Sequence, residues 1–236
     1  MLISAIQKTT LLDYPWKVAT IIFTAWCNLR CSYCHNSEFV LPEEIKLIKD
    51  FIPEKVFFNF LKTRVWVLDW VVICWWEPTI NKDLYDFCKN IKDLGFLVKI
   101  DTNWQNPEVL ERLINDWLVD YISMDVKNSF SKYALTTQVE EDVEKYKKSI
   151  ELIKNSWIDY EFRTTLVDQL HTYDDIIDIA KVLSWAKKYY LQNYKWGNTL
   201  VKDFDWKSFS KSKLKEFKKL CKDYIENVYV REYDEM

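Results

Sequence analysis

Glycine is nearly missing from this chain: Gly95 and Gly197 are the two in 236 residues, where a globular protein usually carries about 7%. Tight turns and helix endings must therefore find their left-handed backbone positions elsewhere. Long apolar runs are missing as well. The longest, Val65 to Trp76, is too short to span a bilayer and contains Asp69. Met1 to Thr10 lacks the basic-then-apolar pattern of a signal sequence, so the expected location is the reducing cytoplasm, with no membrane partner. There is no surplus of positive charge: the net charge of −3 and a pI near 5.6 argue against nucleic acid as a partner. The lysines between Ser210 and Lys222 read as a solvated helix face.

What stands in glycine's place is tryptophan. The two glycines and 12 tryptophans together come to about 6% of the chain, close to the ordinary glycine share. Lys92-Asp93-Leu94-Gly95-Phe96-Leu97 ends a helix with glycine before an apolar strand, and Asn115-Asp116-Trp117-Leu118-Val119 and Asn155-Ser156-Trp157-Ile158-Asp159 look like the same junction with tryptophan in that slot. A residue with a Cβ costs about 1–2 kcal/mol in the left-handed conformation that such a slot favours. The pair Trp75-Trp76 before Glu77-Pro78 is equally odd for a turn. One reading unites these features: UGA codons were translated as tryptophan although the source reads them as glycine. UGG codons at positions 26, 75, 76 and 104 would contradict it.

Short β-branched runs alternate with longer helical patterns, the signature of βα units around a parallel sheet. Strands are expected at 18–23, 71–74, 96–101, 121–125, 160–166, 189–192 and 228–231, and helices at 53–63, 82–94, 107–116, 140–154, 173–185 and 210–226. No composition shift marks a second domain, so residues 1–236 are expected to form one, and its length suffices to bury a full core.

Half of the cysteines sit in one loop, Cys27-Asn28-Leu29-Arg30-Cys31-Ser32-Tyr33-Cys34, with no further cysteine until Cys74. Thiolates suit zinc or iron–sulfur clusters, and a three-thiolate cage leaves one iron of a four-iron cluster open. A structural zinc would need a fourth ligand, for which His35 is the nearby candidate. A chain this long has no need of a disulfide framework. Each further polar candidate lies at the carboxyl end of a strand: Glu77, Asp101 with Asn103, and Asp125 with Lys127. The βα loops converge on that edge in parallel α/β folds. Cys74, Cys88 and Cys221 read as small buried hydrophobes.

With glycine restored, these pieces resemble the radical S-adenosylmethionine superfamily over nearly the whole chain. Residues 24–36 are similar to its three-cysteine loop, including the aromatic Tyr33 before the last cysteine, and Trp75-Trp76-Glu77-Pro78 resembles its Gly-Gly-Glu-Pro strand end. The fold this implies is α/β, a partial (β/α)6 TIM-like barrel with parallel strands. Leu12-Asp13-Tyr14-Pro15-Trp16-Lys17, Cys34-His35-Asn36, Asp101-Thr102-Asn103-Trp104 and Asp125-Val126-Lys127 resemble stretches of the activating enzymes of glycyl radical enzymes, in particular those assigned to anaerobic ribonucleoside-triphosphate reductase.

The resemblance implies that Cys27, Cys31 and Cys34 hold a 4Fe-4S cluster whose open iron chelates S-adenosylmethionine. It also implies that Tyr33, Trp75, Trp76, Glu77, Asp101, Asn103, Asp125, Lys127 and Arg163 contact or surround that cofactor. An electron from flavodoxin or ferredoxin would yield a 5′-deoxyadenosyl radical, which would install a glycyl radical on the partner enzyme. Asn28 and Asn36 are expected as donors to the cluster sulfurs. Each candidate has a structural alternative: Asp101 and Asp125 as caps, Lys127 on the surface, Arg163 in an ion pair, His171 as a plain loop residue. Two other functions remain, a 7-carboxy-7-deazaguanine synthase-like enzyme acting on a small molecule and a zinc-stabilised binding module.

Overall fold

The computed structural model of the chain describes residues 1–13, 17–35, 37–74, 77–103, 105–140, 142–202 and 204–231. Its elements, in order, are β1 (Ile3–Thr10), β2 (Ala19–Thr24), α1 (Pro42–Ile45), α2 (Glu54–Lys62), β3 (Trp70–Cys74), α3 (Leu84–Asp93), β4 (Leu97–Thr102), α4 (Pro107–Asn115), β5 (Tyr121–Asp125), α5 (Tyr133–Thr137), α6 (Val143–Lys154), β6 (Asp159–Leu166), α7 (Tyr173–Val182), β7 (Lys188–Asn193), α8 (Lys211–Cys221) and β8 (Asn227–Val230). Seven strands and six longer helices fall where the βα periodicity places them. The short helices α1 and α5 and the strand β1 are additions. The chain forms two compact units: residues 1–28, 38–123 and 156–159 in the first, and 29–37, 124–155 and 160–236 in the second.

In the first unit the strand order is β1-β2-β3-β4, followed by the start of β5. β1 pairs antiparallel with β2, while β2, β3 and β4 run parallel. Every residue of β3 is buried, as expected of a parallel strand covered on both faces. Helix α3 turns Leu84, Phe87, Cys88 and Ile91 inward, the i, i+3, i+4, i+7 stripe of an amphipathic helix, and Phe87 stacks on Phe57 of α2.

In the second unit the end of β5 is followed by β6-β7-β8, with parallel pairing of β6 with β7 and of β7 with β8. Helix α7 opens with a capping box: the Thr172 hydroxyl accepts from the Asp175 backbone while the Asp175 carboxylate accepts from Thr172. Helix α8 buries Leu214, Phe217 and Cys221, and its Lys213 lies over the ring of Tyr173. The fold class is the expected one, α/β built on parallel strands.

Five non-glycine residues among those described have a left-handed backbone, and four of them are tryptophan: Trp26 (φ 86°), Trp66 (72°), Trp117 (59°) and Trp185 (67°), with Gln138 the fifth. Gly95 shares that conformation at φ 88°. Trp66 and Trp185 are almost fully exposed, so no packing of the indole accounts for their presence there. Trp157 departs from the expectation: it is not among the left-handed residues, and its ring stacks on Trp117 at 3.8 Å. Trp70 and Trp206 are buried.

Candidate functional site

In the first unit the site residues collect at the carboxyl ends of β2, β3 and β4. Glu77, three residues past β3, is fully buried. Its Oε1 accepts from the Thr79 backbone at 3.0 Å and from the Thr102 hydroxyl at 2.7 Å, and its Oε2 accepts from the Asn103 backbone at 2.5 Å. Burial raises its carboxyl above the ordinary value, opposed by those donors. Its own N–H donates to the Trp26 carbonyl at 3.1 Å. Glu77 thus ties the end of β4 to the residue before Cys27.

Asp101 is buried near the end of β4, where the Cys74 thiol donates to it at 3.2 Å and Lys99 lies 3.7 Å away. It does not cap the next helix: α4 has Asn106 at its N-cap. Asn103 follows β4 directly and is buried, with its Nδ2 3.7 Å from the Cys27 sulfur and 2.8 Å from Asn28 Oδ1. Asn28 was expected to donate to sulfur. Instead it presents its oxygen, 4.0 Å from Cys27 Sγ, because its Nδ2 is engaged by Gln105.

The second unit holds Cys31 and Cys34, joined in a tight turn by a 2.9 Å bond from Cys34 N to the Cys31 carbonyl. Burial pushes the Cys31 thiol up to about 12, so a metal binding there must displace a proton. Tyr33 between them is buried, edge-on to Trp206, and its hydroxyl has no hydrogen-bond partner among the described residues. Leu200 N donates to the Cys34 carbonyl and Val201 N to that of Ser32. Sequence reading missed this clip after β7, since a backbone contact leaves no motif.

Asp125, the last residue of β5, pairs with Arg163 of β6 and with Lys127 at 2.7 Å. Burial opposes its charge, but the Arg163 and Lys127 cations outweigh it and hold the carboxyl well below the carboxylate range. Lys127 is half-buried rather than a surface lysine. Burial lowers its pKa, yet Asp125 raises it further, so it stays protonated. Arg163 makes the ion pair foreseen as its structural alternative, and that pair orients the strand-end carboxylate.

His171 is more than a loop residue. It is buried, with Nε2 2.9 Å from the Lys127 carbonyl and Nδ1 accepting from the Val167 N–H at 3.1 Å, which fixes the backbone on which Lys127 stands.

Trp75, Trp76, Asn36 and Trp104 lie outside the described residues, as does the 14–16 stretch. Among the described residues no three Cys, His, Asp or Glu side chains are gathered closely enough to hold a metal ion. The donor chemistry nevertheless suits an iron–sulfur cluster better than a structural zinc. All six cysteines are free thiols, three stand in one loop, and the buried Oδ1 of Asn103 and hydroxyl of Tyr33 have no hydrogen-bond partner among the described residues. No described helix is long and apolar enough to cross a membrane.

Known proteins resemble this chain in sequence and in fold. The model of the Radical SAM superfamily fits residues 21–183. A Methanocaldococcus jannaschii protein named as a glycyl-radical enzyme activating enzyme is 36% identical over 236 residues, covering 98% of this chain and 95% of its own length. The pyruvate formate-lyase-activating enzyme of Clostridium pasteurianum is 24% identical, covering 95% of this chain and 98% of its own. Among solved structures, Streptococcus suis SuiB bound to S-adenosylmethionine has a TM-score of 0.64 at 16% identity over 87% of this chain, which spans about half of SuiB, 48% of its length. A domain of pyruvate-formate lyase-activating enzyme from Bacteroides vulgatus has a TM-score of 0.54 at 15% identity, covering 68% of this chain and 97% of that domain. The structures share the fold, the sequence relatives share nearly the full length, and the chain belongs to the Radical SAM superfamily, whose cofactors are a 4Fe-4S cluster and S-adenosylmethionine.

Proposed function

We propose that this chain activates a glycyl radical enzyme, and that its partner is anaerobic ribonucleoside-triphosphate reductase. The observation that carries the reading is the near full-length match to proteins named for glycyl-radical activation, in a chain whose three-cysteine loop continues into Cys34-His35-Asn36. Residues 1–236 then act as one core domain, with the cluster loop at 24–36. Cys27, Cys31 and Cys34 hold the cluster, and Tyr33, Asp101, Asn103, Asp125, Lys127 and Arg163 stand around the S-adenosylmethionine. Glu77, with Trp75 and Trp76 before it in the sequence where the family has glycine, belongs to the same proposed surround.

When bound, the two cofactors supply one-electron cleavage of a sulfonium and removal of a hydrogen atom from a glycine of the partner. The chain's own residues supply placement. Lys127, kept protonated by Asp125, offers a fixed cation, and Arg163 keeps the Asp125 carboxylate charged and oriented. The oxygen of Asn103, without a hydrogen-bond partner among the described residues, is available to a donor. Flavodoxin or ferredoxin delivers the electron in the reducing cytoplasm.

The test is an anaerobic incubation of reconstituted protein, S-adenosylmethionine, reduced flavodoxin and the reductase. A glycyl radical signal in electron paramagnetic resonance is the expected result. A signal on a different glycyl radical enzyme but none on the reductase would reassign the partner. One colourless zinc in place of about four irons would favour the binding module.

A further inference from the structure

We propose that Asn103 is a positioning residue for the Cys27 sulfur, donating an amide N–H that raises the reduction potential of a cluster held there. The inference rests on the reading of Cys27 as an iron ligand. Asn103 and Cys27 are 76 positions apart and are brought together by the carboxyl ends of β2 and β4.

Three amides in series fix which face of Asn103 meets the sulfur. Gln105 Oε1 accepts from Asn28 Nδ2, which turns Asn28 Oδ1 toward Asn103. Asn28 Oδ1 accepts one N–H of Asn103 Nδ2 at 2.8 Å, which leaves the second N–H facing Cys27 Sγ at 3.7 Å. The Asn103 backbone is held independently, by its 2.5 Å bond to the buried carboxylate of Glu77. Reversing the Asn103 amide would set its oxygen against that of Asn28 and bring a second oxygen to a sulfur already 4.0 Å from one. The arrangement therefore resists inversion.

A thiolate ligand carries negative charge, and a reduced cluster carries one more. A donor aimed at the ligand sulfur stabilises the reduced form more than the oxidised one, so hydrogen bonds to sulfur are among the levers that set a cluster's potential. Glu77 and Gln105 act through Asn103 and Asn28 respectively; neither touches the sulfur.

The test compares the full chain with Asn103→Leu and Gln105→Leu after anaerobic reconstitution, reading iron and sulfide content and then the midpoint potential by a redox titration followed by electron paramagnetic resonance, without S-adenosylmethionine. Asn103→Leu is expected to keep its iron and to show a tenfold lower ratio of reduced to oxidised cluster at the unsubstituted protein's midpoint, a fall of about 59 mV for one electron. Gln105→Leu, which releases the orientation of Asn28, is expected to shift in the same direction by less, and it decides the matter should Asn103→Leu fail to fold. A lowered midpoint in either variant with full iron supports the proposal, and an unchanged midpoint in every variant that holds its cluster overturns it. If the unsubstituted chain takes up no cluster, the assignment of Cys27 itself falls, a result separate from an unchanged midpoint.

Discussion

Trp117 ends helix α4 with the same hydrogen bonds that Gly95 makes at the end of α3. Gly95 N donates to the Lys92 carbonyl at 2.8 Å and Phe96 N to that of Ile91 at 3.4 Å; Trp117 N donates to Ile114 at 3.1 Å and Leu118 N to Leu113 at 2.9 Å. Both are Schellman endings, in which the left-handed residue is ordinarily glycine. The pairing supports the reading of these tryptophans as glycine positions.

Substituting glycine should therefore stabilise the chain as written wherever the indole packs on nothing. Trp66→Gly and Trp185→Gly are each expected to gain about 1 kcal/mol, the relief of a left-handed Cβ. Trp117→Gly should gain less, since it forfeits a ring stack on Trp157 worth about 0.5–1.5 kcal/mol. Trp70→Gly, in the core beside Val72 and Tyr121, should lose about 3–5 kcal/mol. Denaturant midpoints at constant slope measure all four. UGA codons in the source gene at positions 26, 66, 117 and 185 are the matching expectation.

Cofactor binding gives a second outcome. The family resemblance puts small glycines at positions 75 and 76, where the backbone can approach a ligand closely, so a chain carrying glycine at positions 26, 75, 76 and 104 is expected to bind S-adenosylmethionine where the written chain binds poorly. Calorimetry on anaerobically reconstituted protein compares them, and equal binding by both would count against the glycine reading.

Stability should fall in mild acid because of His171. Burial lowers its pKa, opposed by bonds to the Lys127 and Val167 backbone, so the folded chain keeps the ring neutral while the unfolded chain protonates near 6.5. The unfolded state then binds more protons below that pH, and stability declines as pH drops. His171→Gln should flatten the dependence between pH 6.5 and 5, read from denaturation midpoints across that range.

Asp175 acts lower on the pH scale. Burial opposes its charge, but bonds from Lys132, Thr172 and Ser129 depress its carboxyl to about 2. The stabilisation is complete above the unfolded value near 3.9 and is lost as pH falls through the folded one. Asp175→Asn keeps the shape of the α7 capping box but not the charge, and should cost about 1–3 kcal/mol at neutral pH while removing that acid-range slope. Thermal unfolding at pH 7 and pH 3 separates the two effects.

Local order was readable in the residues themselves. Periods of two and 3.6 residues placed β5 at its observed bounds and α3 and α4 within two residues of theirs, because such periodicity needs only a buried face. The three-cysteine loop was readable for a similar reason, as its cysteines lie within eight positions. The antiparallel β1 was not, since most of its residues are exposed or half-buried and it carries no clean alternation.

The sequence by itself determined the α/β class, the strand-end placement of Glu77, Asp101 and Asp125, and the misfit between tryptophan and helix endings, all properties of neighbours along the chain. Tertiary structure alone decided that Glu77 is a buried brace, that Arg163 holds Asp125 charged, that His171 supports Lys127 and that Asn103 rather than Asn28 turns an amide N–H to the Cys27 sulfur. Those roles depend on which donor meets which acceptor across tens of residues. Only the packing of parallel strands, which brings their carboxyl ends together, fixes such meetings.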